Sequence, residues 1–483
     1  MNFRVVLNVT SSIIFMTGIA MLVCLIPAYV MDDPSHVISE FIKCSFVTSS
    51  IGAYLFLKTR GEGKVGFREG FAVVVLVWLS VSAFGSLPFI WVQNMSYADA
   101  FFETMSGFTT TGASILTDIE SLPYALNFWR SFTNWLGGMG IVVLGMVILP
   151  LLGIGGMQMY KAESTGPVSE QLTSRVASTA KSLWLVYLGL TVILISALRL
   201  AGMEWFDSIC HAFSAMSTGG FSPKNDSITS YSHTIQLIMS AFMFISGINF
   251  VLHFKALRGQ YSAYRNDEEC RSYFLIIVIA ITIITSNLLF SSTLNSFMEA
   301  FVLATFQVAT VITCAGFSSA NFDTWPTLSK GLLMLLMLVG GCGGSTCGGL
   351  KISRVLLMVK HSFTQIKQSL FPHSLVNVKL NNTRIQDDVM GKILSFTFLY
   401  ISVCLAFTML LLLIVPDINL VTAFTGTLTC LSNVGPGLDK VGPASSFGWM
   451  PDSAKWILSL VMLIGRLEVY TVIVLLLPDF WKK

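Results

Sequence analysis

Four short stretches carry residue types suited to handling a bare cation. Thr109-Thr110-Thr111-Gly112-Ala113 follows an apolar run, 98–108, that is too short to cross a bilayer. Met216-Ser217-Thr218-Gly219-Gly220, Thr313-Cys314-Ala315-Gly316-Phe317 and Ser432-Asn433-Val434-Gly435-Pro436 repeat that pattern. Aligned on Gly112, Gly219, Gly316 and Gly435, the copies lie 107, 97 and 119 residues apart. A lone Thr-Thr-Gly is an ordinary turn signal. Four copies at a near-constant interval, each between two apolar spans, read as four pore loops. A dehydrated cation needs several oxygens at once, and a ring of backbone carbonyls from four loops supplies them. The candidates are Thr110, Thr111, Gly112, Ser217, Thr218, Gly219, Cys314, Ala315, Gly316, Asn433, Val434 and Gly435. Their small side chains let the backbone approach an axis, and glycine admits the dihedrals that aim a carbonyl inward. The short helix before each loop would point its partially negative C-terminal end the same way.

Two further features depart from fourfold sameness. Gly340-Gly341-Cys342-Gly343-Gly344-Ser345-Thr346-Cys347-Gly348-Gly349 holds six glycines in ten residues and cannot sustain a good helix. It reads as a flexible linker or as a loop inside the membrane half of the protein, beneath the pore. The second reading is favoured because the stretch abuts apolar Leu332–Val339 and precedes Lys351. A phosphate loop is excluded, since Leu350 separates Gly349 from Lys351 and no Ser or Thr follows that lysine directly. Arg466 stands 11 residues after Lys455 and 12 before Pro478, near mid-membrane. An arginine there is costly unless it faces water or a partner. It either belongs to a buried structural pair or projects toward the pore axis to meet the glycine-rich stretch, and the axial position is favoured. Glu468, two residues on, points elsewhere on a helix.

The elements that must position these residues are membrane spans. Of 483 residues, 54% are hydrophobic and 11% charged, against about 25% charged in ordinary soluble domains. The pattern predicts an all-α polytopic membrane protein, with four pseudo-repeats of helix, re-entrant pore helix and helix around a central pore. Two leading transmembrane helices precede them, at 9–30 and 40–57. Repeat spans are expected at 71–92 and 128–152, 183–201 and 235–255, 273–291 and 330–350, and 392–415 and 454–478. The corresponding segments are 1–69, 70–182, 183–271, 272–390 (with the glycine-rich loop) and 391–483. The first apolar run lacks a convincing small-residue cleavage site and reads as a retained helix. The nine cysteines fall mostly within apolar spans, so a disulfide scaffold is not expected. The histidines show no metal-ligand spacing. Membrane lipid is the expected surrounding, and no basic cluster points to nucleic acid.

With both termini on one side, 21 of the 29 basic residues share that side, as the positive-inside rule requires of a cytoplasmic face. The loops then open outward, where 15 of the 26 acidic residues lie. Asp99, Glu103, Asp118, Glu120, Asp207 and Asp226 would concentrate cations at the pore mouth, although insertion rules alone also explain the inner basic excess.

On these motifs, together with Gly137-Gly138-Met139-Gly140, Asn433-Val434-Gly435-Pro436-Gly437 and Gly465-Arg466-Leu467-Glu468-Val469, the chain resembles the Trk/Ktr/HKT superfamily of potassium transporters. Within it the chain is most like the bacterial TrkH/TrkG potassium-uptake subunits. The likeness runs end to end. It implies potassium uptake across a bacterial inner membrane, down the electrochemical gradient or by symport, with potassium as the transported ion and no organic cofactor. It also implies a selectivity filter at the four loops. The gate would be Gly340, Gly341, Gly343, Gly344, Ser345, Thr346, Gly348 and Gly349, with Arg466 as a pore arginine. The implied assembly is a homodimer bound to a cytoplasmic nucleotide-binding ring of the TrkA type. Cys347 stands where many relatives have Gly. None of the loops has the second Gly of the tetrameric potassium-channel signature, which implies a shorter filter with looser discrimination. A sodium-conducting relative commonly has Ser at the first filter glycine, where this chain has Gly112. A membrane-embedded enzyme would call for paired intramembrane carboxylates or histidines, and the spans offer little beyond Glu468.

Overall fold

The computed structural model describes residues 1–61, 66–147, 170–372 and 377–482. Residues 148–152 of the span expected at 128–152, and the basic residues Lys64, Lys161 and Lys483, lie outside them. The chain is an all-α polytopic membrane protein, and its only strands among the described residues are Lys379–Leu380 and Thr383–Arg384. Asn381 and Asn382 turn that hairpin with φ of 48° and 61°, the left-handed pair that a two-residue hairpin needs.

Each repeat opens with a long apolar helix: Arg68–Gln93, Thr179–Leu200, Glu268–Phe290 and Asp387–Ile414. Their outward faces remain apolar, as at Phe398, Met409 and Leu413, which suits contact with lipid tails. Four half-helices follow, at Tyr97–Phe108, Trp205–Met216, Phe297–Ile312 and Leu420–Ser432. Ser96, Ser296 and Asn419 cap three of them by accepting from the backbone amides of Asp99, Glu299 and Thr422. Such caps satisfy otherwise orphaned donors and fix where a short helix starts.

The second helices of the second and fourth repeats are where the sequence expectation needs correcting. Tyr124–Val147 is continuous through the described residues. The spans expected at 235–255 and 454–478 are each broken. His233–Ser246 and Phe250–Leu257 meet at 98°, and Asp452–Arg466 and Val469–Leu476 at 116°. Hydropathy reports composition and is blind to direction. At the first break Gly247 ends the helix, and the Asn249 side chain starts the next by accepting from Val251 N. At the second, Glu468 takes φ 57°. In the third repeat Thr327–Leu338 gives way to the glycine-rich stretch, and Ile352–Leu370 resumes beyond it.

The leading pair, Phe3–Val30 and Ser35–Thr59, packs through small residues. Ser45 Oγ donates to Gly18 O at 2.7 Å, and a side chain at Gly52 would collide with the Phe15 backbone. Small residues let membrane helices approach this closely. Asp33, in the turn joining the pair, accepts from Tyr124 N at 2.9 Å and Ala125 N at 2.8 Å. One carboxylate therefore caps the second helix of the first repeat and fastens the leading pair to it.

Candidate functional site

All four half-helices end in the same way. A left-handed residue follows the last turn: Thr110 (φ 52°), Thr218 (54°), Cys314 (57°) and Asn433 (54°). The amide of the next residue then reaches back to the helix. Thr111 N donates to Ser106 O at 2.8 Å, Gly219 N to Ser214 O at 2.8 Å, Ala315 N to Thr310 O at 2.7 Å and Val434 N to Thr429 O at 2.8 Å. This is the Schellman closure, usually made with glycine in the left-handed position. A β-branched threonine there is strained, and such strain clusters at functional sites.

One residue further on, each chain turns left-handed again, at Gly112 (φ 79°), Gly220 (77°), Gly316 (80°) and Gly435 (99°). These four glycines close a circuit. A Cβ on Gly112 would meet the carbonyl oxygen of Gly219, one on Gly220 that of Ala315, one on Gly316 that of Val434 and one on Gly435 that of Thr111, each under 3.0 Å. Every loop leans on an oxygen of the next, and the fourth leans on the first.

The circuit corrects the alignment of the second loop. Gly220, and not Gly219, matches Gly112, Gly316 and Gly435. Gly219 matches Thr111, Ala315 and Val434. Ser217 precedes the left-handed residue, in the place of Thr109, Thr313 and Ser432. Adjacent glycines in Thr218-Gly219-Gly220 leave the register open in sequence, and the backbone dihedrals close it. The other expected loop residues come together as aligned. Asn433 Nδ2 donates to Thr111 Oγ1 at 2.9 Å, stitching the fourth loop to the first. Thr110 Oγ1 and Asn433 Oδ1 are buried without a partner among the described residues. Buried polar oxygens left so are costly.

The glycine-rich stretch lies directly beneath. Thr346 Oγ1 donates to Met216 O at 3.2 Å and to Ser246 O at 3.4 Å. Gly348 presses on the Ser432 carbonyl so closely that no side chain fits there. The stretch interlocks with the break in the second repeat: Cys342 N donates to Gly247 O at 2.9 Å, and Phe250 N to Gly344 O at 3.1 Å. Arg466, 3% exposed, donates from Nη1 to Thr346 O at 2.8 Å and from Nη2 to Gly137 O at 3.3 Å. Among the described residues it has no carboxylate partner and its Nε is unpaired. Glu468 pairs instead with Arg354, at 2.5 Å. Lys351 adds a second positive charge, its ammonium donating to the carbonyls of Cys347 and Gly348.

Sequence reasoning missed Glu269, Asn249 and Lys351. Glu269 Oε1 accepts from Gly343 N at 2.8 Å and Ser353 N at 2.9 Å, tying the glycine-rich stretch and the first turn of the helix after it to the start of the third long helix. The signal was the Asp267-Glu268-Glu269 run opening an apolar span. Glu103 requires correction. It is fully buried, paired to Arg130 Nε at 3.0 Å, and takes further bonds from Ser114 Oγ and Ile115 N. Other acids expected at an outer mouth fasten segments together: Asp99 pairs with Lys455, Asp207 accepts from the Tyr231 hydroxyl, and Asp118 and Glu120 hold Asn225.

The chain matches the TrkH family model, described as a cation transport protein, over residues 37–483. It is 38% identical over 493 residues to the Trk system potassium uptake protein TrkH of Escherichia coli K12, with all of both chains covered. It is 34% identical to TrkG of the same organism, covering 100% of this chain and 99% of that protein. The crystal structure of the potassium transporter TrkH from Vibrio parahaemolyticus superposes with a TM-score of 0.91 at 35% identity, covering both chains fully.

Proposed function

This chain belongs to the TrkH family of cation transport proteins, and we propose that it takes up potassium through a pore framed by its four loops. The family is one of transporters and not of enzymes. The observation that carries the reading is the closed circuit of glycines and carbonyls. It supports a selectivity filter built from Thr110, Thr111 and Gly112; Thr218, Gly219 and Gly220; Cys314, Ala315 and Gly316; and Asn433, Val434 and Gly435. Four C-terminal helix ends would add negative potential where a cation sheds its water.

Below the filter, the stretch from Gly340 to Gly349 acts as the gate, with Arg466 as its bolt. A guanidinium is always charged, so it opposes an approaching cation while its bonds to Thr346 and Gly137 hold the stretch in place. The segments bounded at 69, 182, 271 and 390 are the leading pair and the four repeats. The protein sits in the inner membrane of a bacterium with both termini cytoplasmic. It works as a homodimer on a nucleotide-binding ring of the TrkA type, and potassium moves down its electrochemical gradient or by symport.

Expression in a bacterium lacking potassium uptake, grown at limiting potassium, tests the assignment. Rescue, together with rubidium uptake exceeding sodium uptake in vesicles, is the expected outcome. Normal membrane insertion without rescue and without rubidium flux would overturn it.

A further inference from the structure

At the basic end of the molecule a cavity of about 790 Å³ opens between the end of the second repeat, residues 252–271, and the hairpin near residue 381. Three cations line it: Lys255, Arg265 and Arg271. None of them makes an ion pair or a side-chain hydrogen bond among the described residues. The two carboxylates on the same wall are engaged. Asp267 accepts from Cys270 N at 2.8 Å and from Asn381 Nδ2 at 3.0 Å, and Glu268 pairs with Lys360. With Glu268 matched by Lys360, the three cations outnumber the remaining carboxylate, Asp267, and the cavity keeps a net positive charge.

A second groove, about 270 Å³, continues from it, sharing Glu268 and Arg271 and adding Leu275 and Leu356. Leu275 is 61% exposed on the long helix Glu268–Phe290, whose apolar face carries on through Val278 and Ile279. A basic pocket thus passes into an apolar groove where a membrane helix begins. That order of surfaces matches a molecule with a phosphate at one end and a hydrocarbon chain at the other.

We propose that Lys255, Arg265 and Arg271 bind the phosphate of an anionic membrane lipid, whose acyl chain lies along Leu275 and Leu356. A free phosphate shares the headgroup chemistry and lacks the chain, so the two sources are separable.

The test uses full-length protein, stripped of lipid in a neutral detergent and titrated with dioctanoyl-phosphatidylglycerol, dioctanoyl-phosphatidylcholine and inorganic phosphate. Phosphatidylglycerol should bind at least about tenfold more tightly than either of the others. Arg265→Gln with Arg271→Gln should weaken it by about thirtyfold, given roughly one surface-charge contribution per residue. Arg258→Gln, outside the cavity, should change nothing. If the double variant is poorly folded, Lys255→Gln alone should still reduce binding by about fivefold. Equal binding of the two lipids, an unchanged double variant, or inorganic phosphate binding as tightly as phosphatidylglycerol would each overturn the proposal.

Discussion

The Nη1 of Arg466 donates to the carbonyl oxygen of Thr346 at 2.8 Å, so one bond ties the fourth repeat to the glycine-rich stretch of the third. The guanidinium reaches backbone carbonyls and no carboxylate among the described residues. At an effective dielectric of ~20, a like charge ~5 Å away is repelled by roughly 3 kcal/mol. Arg466→Gln should therefore raise rubidium flux severalfold at normal protein yield, measured in reconstituted vesicles. Low yield with no gain in flux per molecule would mean that the residue only holds the fold together.

The glycine circuit predicts which substitutions act alike. Gly112→Ser and Gly220→Ser each place a Cβ against a carbonyl oxygen of the following loop, at positive φ. Both should lower the rubidium-to-sodium uptake ratio to a similar degree. A ratio changed by the first and untouched by the second would argue against the corrected register.

Glu269 holds Gly343 and Ser353 through one oxygen. Removing it in Glu269→Ala frees both amides and should increase basal flux and speed hydrogen exchange at Gly343. Glu269→Gln keeps an acceptor and should fall between that variant and the parent. If exchange at Gly343 is the same in all three proteins, the clamp is not what orders this stretch.

Deleting Gly343 to Thr346 should raise flux further and lessen its dependence on a nucleotide-binding partner. The deletion removes the Thr346 contacts to Met216, Ser246 and Arg466 together. Vesicles with equal flux before and after deletion would favour a passive hinge.

Glu103 and Arg130 form a fully buried pair. Breaking it from one side leaves an unmatched charge, which costs ~3–5 kcal/mol. Glu103→Ala should lower the melting temperature and yield sharply while leaving the ion preference of surviving protein intact. A large change in selectivity with normal stability would place Glu103 in the permeation path.

Much of this organisation is legible in the sequence, and the misses have physical causes. Gly112, Gly316 and Gly435 are found because no second glycine adjoins any of them. Gly220 is not, because its neighbour Gly219 satisfies the same pattern. The breaks at Gly247–Asn249 and Glu468 are invisible to hydropathy, which does not register a change of direction. Glu103 reads as an outer acid because its position along the chain says nothing about which face of a helix it occupies. Arg466 is legible for the opposite reason, since a cation far from either membrane surface has few places to go.

The circuit of four loops belongs to one polypeptide, and this sets how it responds to change. In an assembly of four identical subunits a single codon alters every corner at once. Here a codon alters one corner and leaves three as they were. The left-handed positions have already diverged, to Thr110, Thr218, Cys314 and Asn433. Preference among ions in such a ring is divisible, and it can be adjusted a quarter at a time.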